Sequence, residues 1–80
     1  MQRKQKIMTT VQELGGVATL LKWGNISKEY FGFSRGWIYQ RLNGYDGNGN
    51  KCEFTEAQKE TLRAALHDVA DRLNEAADRL

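Results

Sequence analysis

The sequence predicts an all-α fold, a small bundle of about four helices ending in a long C-terminal one. Three observations predict it. Apolar residues recur at intervals of three and four through most of the chain, the helical period. Proline is absent, so the chain is broken only at its eight glycines. And Thr55-Glu56-Ala57-Gln58 opens an uninterrupted helical pattern with a capping box, threonine at the N-cap and glutamine at N3.

Ile7, Met8, Val11 and Leu14 predict a first helix from about Gln2 to Leu14, closed by Gly15-Gly16. Val17, Leu20, Leu21, Ile26, Tyr30 and Phe31 predict a second that ends at Gly32, weakened inside by Gly24-Asn25. Ser34 is placed to cap a third, short helix from Arg35 to about Asn43, its hydroxyl accepting from a free backbone N–H of the first turn. Gly44 terminates that helix, because glycine tolerates the left-handed backbone of a C′ position. Residues 44–54 read as a Gly/Asn-rich loop, and Asp46-Gly47-Asn48-Gly49-Asn50 is turn chemistry with room for a small hairpin. The fourth helix runs from Thr55 to about Arg79, with Asp68/Arg72 and Glu75/Arg79 as acid-then-base pairs four apart.

Eighty residues are read as a single domain, 1–80. A chain of this length buries only about 60–65% of its unfolded surface, so its core is small. Self-association is the stabilising device left open to it. Cys52 has no second cysteine to pair with, and one Cys with one His falls short of the four ligands of a structural zinc. No apolar run approaches the ~20 residues of a membrane span. The basic Met1–Lys6 arm is not followed by an apolar region, so no secretory signal is expected, and the lone thiol fits the cytoplasm.

Net charge is only +2 but uneven. Residues 1–45 carry seven basic and two acidic groups, and residues 46–80 carry five basic and eight acidic. A basic half is suited to face a polyanion while the acidic half faces away.

An enzyme is not expected. His67 and Cys52 lie in different segments and nothing near Cys52 would activate its thiol. Most of the carboxylates are spread along the last helix, and no glycine-rich phosphate loop is present. Asp46-x-Asn48-x-Asn50 imitates the start of a calcium loop, but its sixth position is Lys51 and its twelfth Ala57, where glycine and a bidentate glutamate belong. No metal, cofactor or small-molecule substrate is expected.

The segment Gly32-Phe33-Ser34-Arg35-Gly36-Trp37-Ile38-Tyr39-Gln40-Arg41-Leu42-Asn43-Gly44 has the physical parts of a helix-turn-helix corner. Gly32 can take the positive φ of a tight turn. Phe33 is expected to wedge between the two helices, with Trp37 beside it. Ser34 caps, and Ile38 and Leu42, four apart, anchor one face. The segment resembles the turn and recognition helix of lac-repressor-type regulators, with Gly32, Phe33, Ser34, Ile38, Leu42 and Asn43 at matching places. The resemblance implies an outward face of Arg35, Tyr39, Gln40 and Asn43 that would meet base edges, with Lys28 and Arg41 near enough to touch phosphates. Two positions depart from the pattern. Lys28, four before the turn glycine, stands where a small alanine is usual, and Arg41 stands where an apolar residue is more common.

The wider stretch Tyr30-Phe31-Gly32-x-Ser34-x-x-Trp37-x-Tyr39-Gln40-x-Leu42-Asn43-Gly44, followed by the Gly/Asn loop and Glu53-Phe54-Thr55-Glu56, is similar to a family of small gut-bacterial proteins that carries only a domain-of-unknown-function label. That resemblance covers about Ile7 to the C-terminus. It implies a compact helical fold and a homodimer, and no activity or site residues.

On the last helix, Leu62, Leu66, Val69, Leu73, Ala76 and Leu80 are separated by alternating steps of four and three. This is the 3.5-residue seam of packed helices, widened by Ala65, Ala70 and Ala77. It serves either the chain's own core or a dimer interface. Two functions therefore stand side by side: a nucleic-acid-binding or regulatory module acting on double-stranded DNA, and a helical homodimeric interaction module with no nucleic-acid role.

Overall fold

The computed structural model describes residues 9–80 and shows an all-α chain. Helix α1 spans Thr10–Leu14 and leads into a 3₁₀ turn at Gly15–Leu20. Helix α2, Trp23–Ile26, continues directly into a π turn at Ser27–Phe31. Helix α3 spans Arg35–Asn43 and α4 spans Glu56–Asp78.

Helix α1 begins where a capping box begins it. Gln12 N–H donates to Thr9 Oγ1 at 3.3 Å, and Thr9 N–H donates to Gln12 Oε1 at 2.9 Å. The expected start near Gln2, the apolar pair Ile7 and Met8, and the basic Arg3-Lys4-Lys6 arm lie outside the described residues.

The second expected helix is divided, and the division falls at Leu21–Lys22 instead of at Gly24-Asn25. Three residues per turn replace 3.6 over Gly15–Leu20. Residues three apart then share a face. Ala18 is buried and Leu21 half-buried, whereas Val17 and Leu20, expected inside, are exposed together on another face. Trp23 fills the space instead: its ring is buried, and Nε1–H donates to the Ala18 carbonyl at 2.9 Å.

The core joins Ala18, Trp23, Ile26, Ile38, Leu42, Phe54 and Leu62. Ile38 and Leu42 are fully enclosed, as their spacing on α3 requires. The 44–54 loop is a small hairpin-like turn with a single antiparallel bridge between Tyr45 and Lys51. Asp46 organises it by accepting from the backbone N–H groups of Asn48 at 2.8 Å and Asn50 at 3.0 Å. These bonds, the Asn50 one foremost, hold the Asp46 carboxyl below the usual carboxylate range.

Helix α4 starts at the predicted capping box, with Gln58 N–H to Thr55 Oγ1 at 3.1 Å and Thr55 N–H to Gln58 Oε1 at 2.9 Å. Its 23 residues extend ~34 Å at ~1.5 Å per residue. Burial along it ends at Val69. Leu62 and Ala65 are buried, Leu66 and Val69 half-buried, and every residue from Ala70 onward is exposed.

Candidate nucleic-acid interface

The corner between α2 and α3, and the helix that leaves it, are set by three local devices. Gly32 adopts φ +76°, a left-handed backbone that a side chain would strain. Ser34 caps α3, accepting from Trp37 N–H at 3.2 Å. Gly44 ends α3 at φ +88°, its N–H returning to the Gln40 carbonyl at 2.9 Å.

The π turn explains the first departure from the helix-turn-helix pattern. A π turn carries one residue more than an α turn over the same path, and it displaces side-chain register by one. The small packing residue expected four before the turn glycine therefore sits five before it. Ser27 is wholly buried, and its hydroxyl donates to the Ser34 carbonyl at 2.6 Å, closing the corner. Lys28 is exposed and carries no ion pair among the described residues.

Phe33 does not wedge the corner. With Ser27 bonded across the angle, Phe33 remains 46% exposed and lies on Trp37, ring centroids 4.5 Å apart. Trp37 is half-buried, in an aromatic layer with Phe31 at 4.9 Å and Phe54 at 5.9 Å, beside the core that holds Ile38 and Leu42. Trp23 is the buried tryptophan.

Arg41 belongs to this layer as well. Its guanidinium lies 4.4 Å from the Trp37 ring centroid, and Nη1–H donates to the Trp37 carbonyl at 3.2 Å. Nε is buried without an acceptor among the described residues. Arg41 thus folds back on its own helix, away from the position expected of a phosphate contact.

On the outward face, Arg35, Gly36 and Asn43 are exposed, while Tyr39 and Gln40 are half-buried. The Arg35 guanidinium stacks 4.7 Å over the Tyr39 ring. Its stem crosses Gly24, where a Cβ would stand 3.2 Å from Cγ and Cδ. Gly24 so admits Arg35 against α2, a contact that sequence spacing could not reveal. The face combines an exposed helix start, one stacked arginine, an amide at the far end and Lys28 on the adjoining turn. Such a set offers donors to phosphates and base edges.

A second feature lies on the other side of α2. An apolar groove of about 730 Å³ runs between the 3₁₀ turn, the α2–π segment and α4. Val17, Leu20 and Leu21 form one wall, and Leu66, Val69 and Leu73 the other. At its edge, the Tyr30 hydroxyl donates to Asp68 at 2.5 Å. Arg72 pairs with Glu29 and also reaches Asp68 at 3.3 Å. The bond to Asp68, then burial, raises the Tyr30 pKa above the tyrosine range, and the Glu29 contact raises that of Arg72. The Asp68/Arg72 pair expected from sequence forms. Among the described residues, Glu75/Arg79 does not.

The expected interface stripe is split by these contacts. Leu62 belongs to the chain's own core, Leu66 and Val69 line the groove while half-buried, Leu73 lines it while exposed, and Ala76 and Leu80 lie beyond it, exposed. Among the described residues, no three His, Cys, Asp or Glu side chains gather to hold a metal. No helix among them is long and apolar enough to cross a membrane.

Residues 10–80 match the family described as a domain of unknown function, DUF5053, and the chain belongs to that family. No curated protein and no solved structure matches the chain.

Proposed function

We propose that this DUF5053 chain binds double-stranded DNA through the α2–α3 corner, with the start of α3 entering the major groove. The observation that carries the reading is the corner itself. A left-handed Gly32, the Ser34 cap and the buried Ser27 bond hold α3 rigidly, with Arg35 and Gly36 exposed at its first turn. Recognition helices present their N-terminal residues to base edges in this way. Arg35, stacked on Tyr39, is pre-oriented to pair with guanine, and Asn43 to meet an adenine edge or a phosphate. Gln40, half-buried, contributes through its exposed side. Lys28 supplies a phosphate contact that is independent of sequence. The reading goes with a bacterial protein, as the family resemblance implies, and with the cytoplasm, where a lone thiol fits.

The test is a fluorescence-anisotropy titration of a randomised duplex pool at 50 and 200 mM salt, followed by enrichment of the bound sequences. Binding is expected to weaken steeply between the two salt concentrations. On an enriched site, Arg35→Ala should cost ~1–3 kcal/mol and relax the preference at one position. Lys28→Ala should weaken all duplexes about equally and lower the salt slope. No binding at 50 mM salt would remove the DNA reading.

A further inference from the structure

We infer that two copies of the chain pair through the ends of α4, each end lying in the other copy's groove. Helix α4 encodes far more helix than its own chain covers. From Ala70 to Leu80 every residue is exposed, Leu73 at 62%, and on the facing wall Leu20 is 79% exposed. The nine helical residues Ala70–Asp78, tied back to the body through Arg72 and otherwise short of apolar cover, are marginal in water, because most helical stability comes from packing an apolar face. The stripe Val69, Leu73, Ala76, Leu80 begins inside the groove and continues beyond it, so groove and free helix form one surface.

That surface is complementary to itself. In an antiparallel two-fold pairing, Leu73 of one copy faces Ala76 of the other, and Val69 faces Leu80. The large Leu73 then meets the small Ala76 where the helices cross closely, as knobs meet holes in a 3.5-residue seam. The Val17–Leu20 wall of each copy covers the outer side of the inserted end. Each copy gives one helix end and one groove, so the contact is counted twice, which moves a short helical segment toward the ~800 Å² per partner of a stable interface.

Charge agrees with this occupant. Lys22 lines the groove and has no ion pair among the described residues. Glu75 and Asp78, on the exposed end, have none either. A reciprocal exchange sets each lysine against the acidic end of the partner helix, and it matches the basic first half of the chain to the acidic second half.

The inference stands apart from DNA binding and is tested without nucleic acid, by sedimentation equilibrium of the full chain at 10–200 µM, on the order of the range in which a modest interface is populated. The expected result is a species of twice 9.2 kDa. Leu73→Glu and Leu20→Glu alter exposed positions on opposite walls. Each should raise the dimer dissociation constant on the order of thirtyfold, the factor of a hot-spot residue, while far-UV circular dichroism shows the fold retained. Lys22→Glu should weaken the dimer, and adding Asp78→Lys should restore part of it. A parent that sediments as a 9.2 kDa monomer throughout would overturn the inference. So would a dimer indifferent to both leucine substitutions, since another face would then hold it.

Discussion

Replacing Ser27 tests the one-residue register shift on which the corner depends. Ser27 is fully buried and bonds the Ser34 carbonyl at 2.6 Å, while its neighbour Lys28 is exposed. Ser27→Ala removes one hydrogen bond, a loss of ~1 kcal/mol, toward the lower end because the Ser34 carbonyl can hydrate. Ser27→Leu adds bulk to an enclosed site and costs a further ~1–3 kcal/mol. A domain of this size has a total stability of only ~4–12 kcal/mol. Since ~1 kcal/mol shifts the midpoint of so small a domain by ~4–8 °C, Ser27→Ala should melt several degrees low and Ser27→Leu more than ~10 °C low. Lys28→Ala and Lys28→Leu, at an exposed position, should stay within ~0.5 kcal/mol. The assay is thermal denaturation followed by circular dichroism. A regular α-helix through residues 27–31 would put position 28 against α3 and reverse the pattern. If Lys28→Leu melts as low as Ser27→Leu, the register argument is wrong.

Two further predictions concern titration. Asp46 has a folded pKa below its unfolded value of ~3.9, so its contribution is present above that pH and disappears as pH falls through the lower folded value. Asp46→Ala should therefore speed amide exchange at Asn48 and Asn50 near neutrality, with the difference from the parent vanishing at strongly acidic pH; an unchanged exchange rate at pH 6 would contradict it. Tyr30 is shifted the other way, so its bond to Asp68 contributes below the unfolded pKa of ~10 and is lost as pH rises through the raised folded value. Urea denaturation should show Tyr30→Phe less stable than the parent at pH 8 and the gap closing above pH ~10; a gap that holds constant to the highest pH that keeps the chain folded would refute the linkage.

The parts of the fold legible in the sequence were those set by local chemistry. Ser34, Gly44 and the Thr55–Gln58 box bound α3 and α4 because caps act within one turn of the chain. Ile38 and Leu42 were legible because α3 keeps a regular 3.6-residue period. The segment 15–31 was not, since its period changes twice, tightening to 3₁₀ at Gly15–Leu20 and widening to a π turn at Ser27–Phe31. A single helical period applied across it puts Val17 and Leu20 inside, makes Lys28 the packing residue and overlooks both Ser27 and Trp23. The Thr9–Gln12 box carried the same signature as the one at Thr55, and it marks where the described part of α1 starts. Phe33 was misplaced for a tertiary reason: a buried hydroxyl–carbonyl bond already spans the angle that an aromatic ring was expected to fill. For the candidate face, residue types were legible but exposure was not. Arg41 carries the charge of a phosphate contact and the position of a core residue, and stacking on Trp37 satisfies the second role.

The corner and the groove are mechanically one unit. Glu29 and Tyr30 lie in the π turn that closes the corner, and both bond to α4, through Arg72 and Asp68. The Arg72 guanidinium also lies 5.8 Å from the Tyr30 ring centroid. A rigid body made this way transmits the orientation of α4 to α3. If α4 pairs about a two-fold axis, the two α3 helices are then set at a fixed separation and are related by the symmetry of a palindromic site. For two recognition helices to read one face of a duplex, that separation must approach ~34 Å or a multiple of it. Dimerisation would also restrict binding to DNA whose half-sites have that spacing, because a monomer of this size offers few phosphate contacts and correspondingly weak affinity. The π turn is thus the element on which both proposals converge. It moves Ser27 inward to lock the α2–α3 corner, and it turns Glu29 and Tyr30 toward the helix that would carry the partner.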